Sequence, residues 1–143
     1  MERELQRRYV QLQLLKQQLS TFLEEKSLVD EKVSELVVTI DALRNLGSVK
    51  KGEEIWSGLG SGSFVRSDIK DVDRVLISVG AGVVIKEEKN RAIDIMQSRL
   101  EELNDIDRDL LTEINRFSDQ ISKLEPEVQR LANMESEKSE RGK

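Results

Sequence analysis

The sequence predicts an α+β chain: a long antiparallel two-helix coiled-coil hairpin, with two small β-hairpins at its base that pair with other subunits in a β-barrel. Three observations predict it. Apolar residues keep a heptad step through both ends of the 143-residue chain, while the stretch 47–86 steps by two. Charged residues make up 36% and aromatic residues 3%. Such high charge with regularly spaced Leu, Ile and Val suits long, solvent-bathed helices. Too few large apolar side chains are present to wall a substrate pocket.

Residues 1–46 form the first helix. Its seam runs through Leu5, Tyr9, Leu12, Leu15, Leu19, Phe22, Val29, Val33, Leu36, Ile40 and Leu43. The three-residue step from Leu12 to Leu15 reads as a stammer, and Lys26 is the one polar seam position. No Gly or Pro interrupts before Gly47. Residues 87–133 repeat the pattern with Ile93, Met96, Leu100, Leu103, Asp107, Leu110, Ile114, Phe117, Ile121, Leu124, Val128 and Leu131. Asp107 is the single polar position of this second seam. Pro126 should kink or end the helix, because it lacks an N–H and crowds the preceding turn. The charged tail 134–143 should fray.

At ~1.5 Å per residue both arms come to roughly 60–70 Å, so they match in an antiparallel pairing. A register that places Leu46 beside Glu87 also places Lys26 beside Asp107. These two are expected to meet across the seam and fix its register.

Between the arms, "EEIWS", "SFVRS", "DRVLISV" and "VVIKE" are short β-branched or aromatic runs separated by turn-forming clusters. They predict hairpins of 53–57 with 63–69 and of 74–79 with 82–86. The stretch "GLGSG" invites a phosphate-loop reading, but no Lys-Ser/Thr pair follows its last Gly, so it is not a Walker A loop. Ser63 stands where a dinucleotide fingerprint or a kinase glycine loop needs Gly. The glycines are turn residues. Such short hairpins leave edges open, and no helix of their own is expected to cover them. Ile55, Phe64, Val65, Val75, Leu76, Ile77, Val79, Val83 and Ile85 are therefore assigned to pairing with other chains.

Composition excludes several activities. His and Cys are absent, which removes disulfides, thiolate chemistry, histidine-based catalysis and nearly all zinc sites. The net charge of −5, with both signs interspersed, does not favour nucleic acid. No run of 18 apolar residues exists to span a membrane. A cytoplasmic, non-enzymatic protein without cofactor or metal is expected.

The segment "GSGSFVRSDIKDVDRVLISVGAGVVIKEE", held between two heptad arms, resembles the α class of archaeal prefoldins. The α class carries two hairpins between its helices, and the β class one. The sequence departs from the family in "EEIWSGLGSG", where a more apolar strand ending in a Val-Pro step is expected. The resemblance implies a hexamer of two α and four β subunits, built on a double β-barrel with projecting coiled coils. It also implies an ATP-independent holdase that passes unfolded clients to a group II chaperonin. Client contacts are expected where the arms end, at Tyr9, Val10, Leu14, Val128, Leu131 and Met134. Heptads alone fit a second reading, a coiled-coil adaptor that tethers one specific complex.

Overall fold

The computed structural model describes residues 2–142, which divide into two compact units, residues 2–31 with 104–142 and residues 32–103. The elements in chain order are α1 (Glu2–Asn45), a short 3-10 turn (Leu46–Ser48), β1 (Glu54–Gly60), β2 (Ser63–Asp68), β3 (Arg74–Gly80), β4 (Val83–Glu88) and α2 (Lys89–Arg141).

In the first unit the start of α1 packs antiparallel against the end of α2. Leu12 is buried with Ile121, Leu124 and Val128, and Leu5, Leu15 and Leu19 pack around them. Phe22 meets Phe117 with ring centroids 5.4 Å apart, a tilted aromatic contact. The seam differs from the expectation at its beginning. Arg8 is half-buried while Tyr9 is exposed, so the inward positions run 5, 8, 12, 15 and 19 without a stammer. Arg8 can hold this position because its methylene stem lies along the seam while its guanidinium reaches Glu127 at 3.5 Å.

Helix α2 corrects the expectation of a fraying tail, and of the two alternatives at Pro126, a kink or an end, the end does not occur. Pro126 lies inside the helix and does not end it. Proline removes one backbone N–H, but Leu124, Val128 and Leu131 on either side are buried, and that packing holds the helix across the gap. The stretch after Leu131 is helical to Arg141, with Lys138 and Arg141 in its last turn, where cations suit the helix dipole.

In the second unit the core consists of Ile40 and Leu43 from α1, Ala92 and Met96 from α2, and Ile77 from β3. Val75 and Ile85 pack against it. The β3–β4 hairpin is thus covered on one face by its own helices, contrary to the expectation that none would cover it. Arg99 strengthens this attachment by donating from Nη2 to the Ser78 carbonyl at 2.6 Å.

The strands form two separate two-stranded antiparallel sheets, β1–β2 and β3–β4. The hairpins are near copies: Trp56↔Arg66 and Gly58↔Phe64 in one match Leu76↔Lys86 and Ser78↔Val84 in the other, and each has a register shift just before the turn. Both bends place three successive residues at positive φ, Gly60–Ser61–Gly62 and Gly80–Ala81–Gly82. The strands reach further into the turns than expected, since Gly58 and Gly60 belong to β1. Between the sheets, Asp71 Oδ1 accepts from the backbone N–H groups of Asp73 at 2.8 Å and Arg74 at 3.1 Å, an Asx turn that directs the chain into β3. These two donors hold the Asp71 carboxyl below the usual carboxylate range.

Candidate functional site

Two sets of exposed apolar side chains are candidates for function, one in each unit. In the second unit, equivalent faces of the two hairpins fare differently. Ile77 is 4% exposed, whereas its neighbour Leu76, on the opposite face, is 70% exposed. On β4 Val83 and Val84 are exposed, as is Val79 near the bend of β3. On the first hairpin nothing is buried: Ile55, Trp56, Leu59, Phe64 and Val65 are all exposed. The cause is visible in the repeat. Ser57 pairs with Val65 at the position where Ile77 pairs with Ile85, so the first hairpin lacks the large side chain that anchors the second.

Ile77, expected to pair with other chains, is instead buried in the chain's own core. Val75 and Ile85 are half-buried against the same core. Trp56, Leu59 and Val84 were not among the expected contacts, although strand alternation places Trp56 on the same face as Phe64. That face is an apolar platform. Phe64 lies over Gly58, with a ring carbon 3.8 Å from where a Gly58 Cβ would stand.

In the first unit exposed apolar residues lie off the seam, Ile106 and Leu111 on α2 and a group near the start of α1. Tyr9 is 53%, Val10 56% and Leu14 57% exposed. Leu23 and Leu28 follow on the same helix, and Met134 is exposed on α2. Val128 and Leu131, also expected as client contacts, are 8% and 5% exposed and belong to the seam. The distinction was hidden in the sequence because Tyr9 and Arg8 compete for one inward position, and residue type favours the wrong one.

Further along the same pair, Lys26 Nζ donates to Asp107 Oδ2 at 3.3 Å and stands 3.2 Å from Oδ1. Lys26 also donates to Asp30 Oδ2 at 3.0 Å, one turn on. The hydrogen bonds to Asp30 and Asp107 raise the Lys26 pKa above its ordinary value, and the Lys26 ammonium draws the Asp30 carboxyl down. The structure thus brings together the two polar seam residues, in the antiparallel register that the arm lengths suggest.

Among the described residues no cluster of carboxylates is arranged to hold a metal ion, and no helix is long and apolar enough to cross a membrane. What the surfaces offer is non-directional apolar contact and open strand edges.

A family model described as "Prefoldin subunit" matches residues 15–134, spanning the arms and both hairpins. The chain belongs to the prefoldin family. As a prefoldin it is a subunit of a chaperone. It is 30% identical over 132 residues to "Prefoldin subunit alpha" of Methanococcus vannielii, covering 92% of this chain and 88% of the relative. It is 25% identical over 104 residues to the protein of the same name from Thermofilum pendens, covering 73% and 81%. Among solved structures, filamentous PFD from Methanocaldococcus jannaschii superposes with a TM-score of 0.70 at 20% identity, over 81% of this chain and 96% of that one. The prefoldin beta subunit from Thermococcus strain KS-1 superposes with a TM-score of 0.58 at 16% identity, over 90% and 91%. Both likenesses bear on the fold of this chain, two long helices with two small antiparallel hairpins between them.

Proposed function

We propose that this prefoldin subunit works in the cytoplasm as part of an ATP-independent holdase, two such chains assembling with four β-type subunits. The hairpins supply the assembly contacts, through the open strand edges and the apolar faces of Trp56 with Phe64 on one sheet and Leu76 with Val84 on the other. Clients are unfolded proteins, held at Tyr9, Val10, Leu14 and Met134 and then released to a group II chaperonin. One observation carries the reading above all others. Tyr9, Val10 and Leu14 are more than half exposed on a helix that buries Leu12 and half-buries Leu15 beside them, so the seam does not account for them.

Exposed apolar residues cost solubility unless something covers them. Contacts that lack direction suit partners that lack a common structure, and several weak patches on one assembly add by avidity. Lys26 and Asp107 have a supporting role here. Their pairing penalises slipped registers, which would leave one charge facing apolar side chains.

The test mixes the purified chain with a β-type prefoldin subunit, measures mass by light scattering, and follows aggregation of several chemically unfolded proteins without ATP. A particle of hexamer mass that suppresses aggregation of unrelated clients supports the reading. An assembly that leaves every client to aggregate, yet binds one folded protein, makes the chain an adaptor.

A further inference from the structure

The first turns of α1 carry a stripe that the seam does not use. Arg3, Arg7, Val10 and Leu14 follow at steps of four, three and four, which aligns them along one face of a helix, and all four are exposed. The other cations of this stretch are engaged within the pair: Arg8 faces Glu127 at 3.5 Å and Lys16 faces Glu125 at 2.7 Å. Among the described residues, Arg3 and Arg7 form no ion pair. Glu2 and Glu4 fall on the flanks of the stripe. Beyond Leu14 the same face continues as Gln17, Thr21, Glu24, Leu28 and Glu31, so its charge changes sign. The basic, apolar patch is therefore local, ~17 Å long at the rise of an α-helix.

We propose that this stripe selects among clients, favouring unfolded segments in which Asp or Glu residues adjoin a group of apolar ones. The inference rests on the holding reading above and names the chemistry that the site prefers. Guanidinium groups bind carboxylates through paired hydrogen bonds, are weakly hydrated, and lay apolar stems along their neighbours. Val10 and Leu14 supply apolar contact with no demand on sequence. An extended segment rises ~3.3 Å per residue, so about five residues span the stripe. Alternate side chains of such a segment face the stripe, so carboxylates at one end and apolar side chains at the other match Arg3 and Arg7 followed by Val10 and Leu14. A segment with Lys in place of Asp meets like charge.

The experiment uses the full chain in its assembled form and two fluorescent peptides of equal length and equal Leu content, one joining an Asp-rich half to a Leu-rich half and the other a Lys-rich half to a Leu-rich half. Fluorescence anisotropy at low salt should show the Asp peptide binding about fivefold tighter, as two exposed charge contacts allow, with the preference fading at high salt. Arg3→Glu with Arg7→Glu should invert the preference at unchanged assembly mass, and Val10→Ser with Leu14→Ser should weaken both peptides alike. Equal binding of the two peptides by the natural chain, or a preference that survives the double reversal, overturns the inference and leaves the holding reading standing. Binding of neither peptide overturns both.

Discussion

Ile77 and Leu76 are adjacent in β3 and point to opposite faces, so the same substitution at each separates two roles of one hairpin. Ile77 is 4% exposed among Ile40, Leu43, Ala92 and Met96; Leu76 is 70% exposed. Replacing Ile77 by Ala removes three buried carbons. At ~0.8 kcal/mol for each, with a cavity contribution on top, the loss comes to about 3–4 kcal/mol. For a chain of this length that is about 10 °C in Tm. Leu76→Ala should cost the chain within about 0.5 kcal/mol, yet it removes an exposed apolar contact and should lower the mass of the assembly. Thermal unfolding followed by helical circular dichroism reads the first effect, and light scattering reads the second. Because association adds to apparent stability, both variants are compared across a series of protein concentrations. Equal Tm losses at the lowest concentration, where chains are least associated, would refute the assignment of the two faces.

Four further outcomes follow from the packing and the charges. Pro126→Ala should stabilise the chain, by up to about 3 kcal/mol in urea unfolding, because it restores a backbone N–H inside a continuing helix. Gly80→Ala should cost about 1–2 kcal/mol, since φ there is 106°, whereas Gly58→Ala meets only the Phe64 ring at 3.8 Å and should be nearly neutral. Lys26→Asp and Asp107→Lys should each destabilise the helix pair, and the double swap should recover most of the loss; a double variant no better than either single one would refute a register role. Stability should also depend on pH at both extremes. The raised Lys26 pKa gives stability that is present below 10.5 and lost as pH rises through the folded value. The lowered pKa values of Asp30 and Asp71 give stability that is present above 3.8 and lost as pH falls through theirs. Asp71→Asn should flatten the acid limb, which urea titrations at several pH values would show.

Much of the fold was legible because helix and strand periods are properties of the chain itself. Heptad spacing marks both arms, and the change to period two with paired Gly-x-Gly bends marks the hairpins. Legibility stopped where two residues could serve one position. Arg8 takes the inward place because a long aliphatic stem with Glu127 opposite fits a seam whose neighbours are Leu12 and Leu124, and Tyr9 turns outward. The continuity of α2 through Pro126 depended on packing from the opposite helix, which no local rule contains. The covered face of the second hairpin was likewise a tertiary matter. Alternation shows that Val75, Ile77 and Val79 share a face, but not that Ile40 and Met96 would close over it. The contrast of Ser57 with Ile77 was readable only once the two hairpins could be aligned by their bends.

The most direct test of the account compares two assemblies that differ only at Tyr9, Val10 and Leu14, each replaced by Ser in one of them. Both are given the same set of unrelated unfolded proteins without ATP, and aggregation is followed by light scattering. The account predicts equal assembly mass and helicity, with suppression of aggregation largely lost in the substituted assembly. Undiminished suppression by that assembly would contradict it, and would move client holding away from the start of the first helix.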